Sequence, residues 1–400
     1  MATMTRARAW DGPVILSRGF RPFFLFGALY AAILVTLWIA WYFGYIDVPS
    51  ALPPTAWHAH ELLFGYVSTI IAGFLLTAVP NWTGRLPVVG WPLAVLFSCW
   101  LFGRIVLAFS AGLPELIVAL ATLVFPVTLA TVIGREVVMG KNWRNLKVLI
   151  VLGVFTFAQA LFHYELWRSG DVTYGDRLAI ATTIMLIMIV GGRIVPSFTI
   201  NWMKRVNPGA LPAPFGRYDK LAMGVGGAAL IGWVLLPTLS DYARLVGVVL
   251  VIAGLVHSVR LMRWRPYRTF REPLVAVLHI AYLFVPVGFL IAGYAAFTDD
   301  YSAGTGAIHA WTVGAIGLMT LAMMTRTSRG HSGQPLKAPP PTVAIYLAIL
   351  VAAISRIIVA FLPEFANILM PIAGLGWVLA FLGFAITYAP MLLGRRKDMA

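Results

Sequence analysis

The stretch PPTAWHAHELLFGYVSTIIAGFLLTAVPN, residues 53–81, decides the fold. From Leu62 to Asn81 it carries no charge, and about 20 consecutive apolar residues are what an α-helix needs to cross a bilayer. Two prolines precede it, as at a helix start. Its head, however, holds His58, His60 and Glu61, three groups that a membrane helix buries only at a cost.

Outward from this stretch the same pattern repeats. The chain has 400 residues, of which 60% are hydrophobic and 11% charged, whereas a soluble globular chain carries roughly 25% charged residues. So little polar surface cannot cover the molecule, and the bilayer must be its solvent. Apolar stretches of membrane length predict twelve spans, near 23–45, 56–80, 91–110, 113–135, 146–168, 176–201, 217–236, 241–262, 272–297, 304–325, 341–361 and 364–393. The connections are too short for an inserted soluble domain. The predicted fold is therefore all-α: a polytopic membrane protein, one bundle of about twelve transmembrane helices over residues 1–400. The first 22 residues lack the apolar core of a signal peptide, so the first span is expected to be retained.

The net charge of +15 could suggest nucleic acid, but its distribution excludes that reading. Twenty-four of the 30 basic residues fall in the N-terminal segment, the even-numbered connections and the C-terminal tail, and the odd-numbered connections are mostly acidic. By the positive-inside rule both termini are expected to be cytoplasmic, with 1–22 and 394–400 as cytoplasmic segments of a multi-pass protein of the bacterial inner membrane. The basic excess is topology, and the expected macromolecular partner is the lipid bilayer. Cys99 is the only cysteine, so there is neither an intramolecular disulfide nor a thiolate cluster, and it reads as a buried packing residue.

Topology gives each histidine a depth. His58 and His60 lie in the first outer turns of the second span, His163 near the outer end of the fifth and His309 near the outer start of the tenth. Four of seven histidines thus share one layer, with Glu61 and Glu165 beside them. Arg104 and Arg356 sit at the same depth; either they bridge to those glutamates or they anchor the propionates of a haem. His257 and His279 lie near the inner face and His331 just beyond the tenth span, a second set of candidate ligands. Arg193 lies within the inner half of the sixth span, is expected to need a buried partner or water, and joins Glu61, Arg104 and Arg356 as a candidate to support the ligands or anchor a haem propionate. Met319 and Met323 share a helix face, which packing explains. Neutral imidazole is the commonest metal ligand, so the outer layer is a candidate metal centre. At roughly 100° per residue, His58 and His60 point to opposite faces of their helix and cannot easily hold one ion together. Glu61 shares a face with His58 and could orient a nearby imidazole through its second nitrogen.

No phosphate-binding loop, nucleophile elbow or HExxH motif is present in a usable context. Twelve spans also fit a secondary transporter or a sensor, although a transporter is expected to hold its polar groups near the midplane. The blocks WHAHELLFG (57–65), AGFLLTAVPNWTGR (72–85), GGRIVPSFTINW (191–202), PLVAVLHIAYLFVPVG (273–288) and HAWTVGAIGLMTLAMMTRTSRGHSG (309–333) resemble the NnrS family of haem- and copper-containing bacterial membrane proteins of the nitric oxide response. The resemblance implies haem, expected to be b-type, and copper, with His58, His60, His279, His309 and His331 inside family blocks. It implies a protein that relieves nitrosative stress by binding or converting NO or a nitrosyl species, with a redox partner where conversion occurs. The expected arrangement is haem iron on one of His58 and His60 together with His309 or His163, and copper near the other. A haem–copper NO reductase-like oxidoreductase is the competing reading, against which stands the absence of an adjacent His-His pair.

Overall fold

Prolines, glycines and carboxylates end the helices where the apolar runs end. The computed structural model describes residues 10–395; the basic residues Arg6, Arg8, Arg396 and Lys397 of the charge pattern lie outside them. Twelve long helices follow one another among the described residues, and no strand occurs there. They are α1 (Phe20–Tyr42), α2 (Pro54–Thr83), α3 (Trp91–Ala108), α4 (Glu115–Met139), α5 (Leu146–Ser169), α6 (Gly175–Val206), α7 (Arg217–Leu235), α8 (Ala243–Met262), α9 (Pro273–Thr298), α10 (Tyr301–His331), α11 (Pro340–Phe361) and α12 (Ala366–Leu393). Each coincides with a predicted span. Eleven are long and apolar enough to cross a membrane. The remaining helix, α7, opens on Arg217, Asp219 and Lys220 and is diluted by glycine. The chain is a polytopic, all-α membrane protein.

Local chemistry fixes the ends. Gly84 and Gly170 stop α2 and α5 with φ of 71° and 75°, a left-handed conformation that costs glycine little. Asp300 caps α10 by accepting from the Ala303 amide at 3.0 Å. Glu272 caps α9 through the Leu274 amide at 3.1 Å and also accepts from the Ala338 amide at 3.0 Å, which ties α9 to the segment before α11. Large apolar side chains such as Ile33, Trp91, Leu116, Ile231 and Ile386 are exposed, as expected where lipid is the solvent.

Packing separates the described chain into two units. The first holds α1 to α5, with residues 175–179, 327–334 and those from Phe381 onward. Its core is aromatic, with Phe23, Phe24, Phe64, Phe125, Phe155 and Phe162 buried. The second holds α7 to α9 and α11, with residues 180–206, 301–326 and 366–380; Tyr282, Phe289, Trp311 and Ile349 are buried in it. In the first unit Arg21 donates to the carbonyls of Leu392 and Gly394 at 2.8 and 2.9 Å, satisfying carbonyls that the end of α12 leaves without helical partners.

Three helices contain a π turn: α2 at Glu61–Val67, α6 at Ile187–Gly191 and α10 at Ala310–Gly317. Such turns insert a residue into the α-helical ladder; they are rare and occur frequently at functional sites. Two of them start directly after a histidine, His60 and His309. The sequence shows near them only a His-Ala step, His58-Ala59 and His309-Ala310; the structure adds a shared backbone distortion.

Candidate metal centre

The π turn of α2 opens with Glu61, and the site is built around that carboxylate. Arg104 on α3 forms an ion pair with its Oε1, and the same oxygen lies 2.8 Å from His60 Nδ1. His60, Glu61 and Arg104 are all buried. Gly65 makes the approach possible, because a Cβ there would lie 3.0 Å from Arg104 Nη1 and 2.9 Å from the Tyr30 ring. The Gly65 carbonyl also accepts from the Trp100 indole at 2.9 Å.

From His60 the network continues to α5. His163 Nε2 lies 3.2 Å from His60 Nε2, and His163 Nδ1 lies 2.6 Å from Glu115 Oε1 at the start of α4. The Thr122 hydroxyl stands 2.9 Å from His163 Nε2. Phe64 and Phe162 border the His60 ring, with centroids 5.1 and 5.2 Å away. A carboxylate only accepts hydrogen bonds, so Nδ1 of each ring donates to its glutamate and Nε2 is left with a lone pair. The two lone pairs converge at 3.2 Å, a contact that becomes favourable when a cation is shared between them. With metal–imidazole bonds of about 2.0–2.1 Å, that separation corresponds to an angle of roughly 100–105° at a single ion. Trans ligands on a haem iron would instead stand about 4 Å apart with the same bond lengths. The pair therefore matches one small ion and does not match a bis-histidine haem. One turn before His163 on the same helix face, Gln159 is buried with an amide nitrogen that has no hydrogen-bond partner among the described residues. An unsatisfied buried donor of this kind points to a group that completes the site.

The second unit holds a network of different character. Arg260 on α8 is wholly buried, bonds Asp219 of α7 at 3.0 Å, and donates to the Met188 carbonyl in the π turn of α6 at 3.1 Å. It also donates to the Tyr282 hydroxyl of α9 at 2.9 Å. That hydroxyl lies 2.8 Å from His257 Nδ1, and His257 Nε2 lies 3.0 Å from the Ala222 carbonyl. Gly192 allows the guanidinium to lie against the helix, since a Cβ there would overlap it.

The predicted residues divide accordingly. His58 and His60 do face opposite ways: His58 stacks on Trp38 of α1 with centroids 4.4 Å apart, and His60 turns to α5. Glu61 does orient an imidazole, but that of its chain neighbour His60, because Arg104 draws the carboxylate to that side. His60 and His163 meet in the first unit. His309 belongs to the second, where its Nδ1 donates to the Thr305 carbonyl at 2.8 Å and its Nε2 accepts from Arg356 at 2.8 Å. Arg104 and Arg356 are thus both engaged at histidine sites, whereas Glu165 instead accepts from the amides of Tyr174 and Gly175 before and at the start of α6, at 3.0 and 2.8 Å.

The inner pair is not assembled as one ligand set. Both nitrogens of His257 are bonded to protein. His279 Nε2 lies 2.9 Å from the Thr199 hydroxyl, while its buried Nδ1 has no partner among the described residues. His331 is the last residue of α10, 3.0 Å from Arg18 and beside Phe20. Of the two alternatives for Arg193, a buried partner or water, the first is not met: Arg193 is exposed and its guanidinium lies 5.7 Å from the Phe215 ring. Cys99 is half-buried, not buried. Glu115, Thr122, Gln159, Asp219, Arg260 and Tyr282 escape sequence reasoning. Glu115, Asp219 and Arg260 fall at span ends, where charge reads as topology, and the other three resemble ordinary span residues. No group of three or more His, Cys, Asp or Glu side chains capable of holding a metal occurs among the described residues, so two imidazoles are the donor set that the first unit offers.

A family model described as NnrS protein matches residues 14–396, nearly the whole chain. No curated protein matches it.

Proposed function

Because the chain belongs to the NnrS family, we propose that it is a haem- and copper-binding protein of the bacterial inner membrane that protects against nitric oxide stress. It binds or converts NO or a nitrosyl species at the outward end of α2, with both termini cytoplasmic. The observation that carries this reading is the His60–His163 pair, whose Nε2 atoms converge at 3.2 Å while each Nδ1 is bonded to a glutamate.

Imidazole donors suit copper, zinc, iron and nickel, and the family resemblance selects copper among them. His60 and His163 would hold the ion, with Thr122 beside it. When bound, copper supplies a one-electron centre and a position at which NO can coordinate. The protein's own residues do the rest. Glu61 and Glu115 fix the ring orientations and keep both Nε2 atoms unprotonated, that of His163 beside the Thr122 hydroxyl, the usual role of carboxylates behind ligating histidines. Arg104 neutralises Glu61 in an interior where an unpaired carboxylate would be costly. Phe64, Phe155 and Phe162 keep water from the rings, and NO, a small weakly polar molecule, crosses such a wall readily. Haem is the second proposed cofactor. His309 is its candidate ligand. Both nitrogens of His309 are bonded to protein, so it would ligate the haem only after Arg356 leaves its Nε2, and the released Arg356 is a candidate partner for a propionate.

The test is metal analysis of the purified protein together with a reduced-minus-oxidised absorption spectrum, followed by anaerobic NO consumption with an electron donor. Copper and haem in the wild type, with copper lost in His60→Ala and in His163→Ala, is the expected result. Protein from metal-replete cells that carries neither group overturns the reading. Full copper content in both variants overturns the assignment of the ligands.

A further inference from the structure

The network of the second unit has no part in the centre just described, and its geometry points to a chemistry of its own: we infer that Tyr282 is a redox-active tyrosine whose phenolic proton is exchanged with His257. The hydrogen bonds set the direction of that exchange. His257 Nε2 donates to the Ala222 carbonyl at 3.0 Å, which leaves Nδ1 as an acceptor. The Tyr282 hydroxyl, 2.8 Å away, therefore donates its only proton to that nitrogen. Arg260 Nη1 donates in turn to the phenolic oxygen at 2.9 Å.

Loss of one electron makes a phenol strongly acidic, and a buried tyrosine yields its electron readily only when its proton has somewhere to go. Here the step is balanced within the network. Tyr282–OH, neutral His257 and a one-electron oxidant give a neutral tyrosyl radical, a His257 imidazolium and the reduced oxidant. The oxidant is a high-potential metal centre or metal complex. The proton moves along an existing 2.8 Å hydrogen bond.

After the transfer all three hydrogen bonds around His257 and Tyr282 are still made. The His257 Nδ1–H now donates back to the phenolic oxygen, Nε2–H still donates to Ala222, and Arg260 still donates to the same oxygen. No side chain has to turn, so reorganisation is small. Asp219, 3.0 Å from Arg260, neutralises that guanidinium, so the imidazolium forms beside a charge-balanced pair and not beside a bare cation. Tyr282 and His257 are fully buried, with Trp264 against Tyr282 and Phe289 against His257, which shields a radical from water and from other chains. A network needed only to clamp helices would require the same bonds in the starting state but would have no reason to accommodate the product.

The experiment is electron paramagnetic resonance on the protein produced in haem-deficient cells, placed in nanodiscs, stripped of copper with a chelator and oxidised with hexachloroiridate(IV). Because added copper and haem are absent, its outcome is separate from that of the proposed function. A persistent tyrosyl signal is expected in the wild type, its hyperfine pattern collapsing when tyrosine is supplied deuterated at the β-carbon. The signal is lost in Tyr282→Phe, which keeps the ring packing, and it decays faster in His257→Phe, which removes the proton acceptor. Trp264 is the competing oxidisable ring against Tyr282, so Trp264→Phe serves as a control that keeps the signal. No persistent radical in the wild type, or an equal one in a folded Tyr282→Phe, overturns the inference.

Discussion

The two units solve one physical problem with opposite results. Each buries an arginine on a carboxylate beside a π turn and hangs a histidine from the network. In the first, Arg104 and Glu61 sit at the π turn of α2; in the second, Arg260 bonds Asp219 and a carbonyl of the π turn of α6. The histidines differ in what remains for them. His60 and His163 spend one nitrogen each on a glutamate and point the other at each other. His257 spends both on the protein, one on Tyr282 and one on Ala222. The first arrangement is open to a cation and the second is closed to it. Possession of a buried histidine in a membrane span therefore says little about metal until the partner of each nitrogen is known.

Four measurements would break or sharpen this contrast. The largest effect is on copper: His163→Ala is expected to abolish copper content, and His257→Ala to leave it at the wild-type level. Equal loss in both would erase the distinction between the units. Next come the ion pairs. Removing one member of a buried pair leaves the other charged and unpaired, which costs about 3–5 kcal/mol. Arg104→Met and Arg260→Met should therefore each lower thermal stability in detergent sharply, while Arg104→Met combined with Glu61→Gln recovers part of the loss. A single Arg104→Met without a measurable shift would show that Glu61 is not held as an anion.

Smaller effects concern the glycines that admit the guanidinium groups. Overpacking costs about 1–3 kcal/mol, so Gly65→Ala and Gly192→Ala should destabilise their respective units by that order. Gly192→Ala should be the worse, because its added carbon would overlap the Arg260 guanidinium, whereas at Gly65 the guanidinium nitrogen lies 3.0 Å away; the melting curves of the two variants rank them. The smallest effect is expected at Arg193. An exposed side chain away from such features changes stability by less than about 0.5 kcal/mol, and Arg193→Gln should leave melting temperature and copper content alike unchanged. A clear loss of copper there would restore Arg193 to the site.

The outline of the candidate centre was legible because an ionisable side chain within an apolar run is costly, and the cost marks it. His60, His163, Glu61 and Arg104 all stand out in this way. Glu115 and the pair Asp219 and Arg260 do not. At the end of a span a charge that reaches water and a charge turned inward look the same in sequence, and only packing separates them. The same ambiguity misplaced Arg193, which is inside a span by position and outside the packed core by orientation.

The sequence by itself determined the all-α membrane fold, the span positions and the split of His58 and His60 onto opposite faces, because bilayer thickness and helical pitch are fixed lengths and angles. Only the tertiary structure decided that His60 meets His163, that Glu61 serves His60 and not His58, and that His257 is closed by Tyr282. Those outcomes depend on which helix faces which and on where a π turn shifts the register, and contacts between residues far apart in the chain leave no local trace in it.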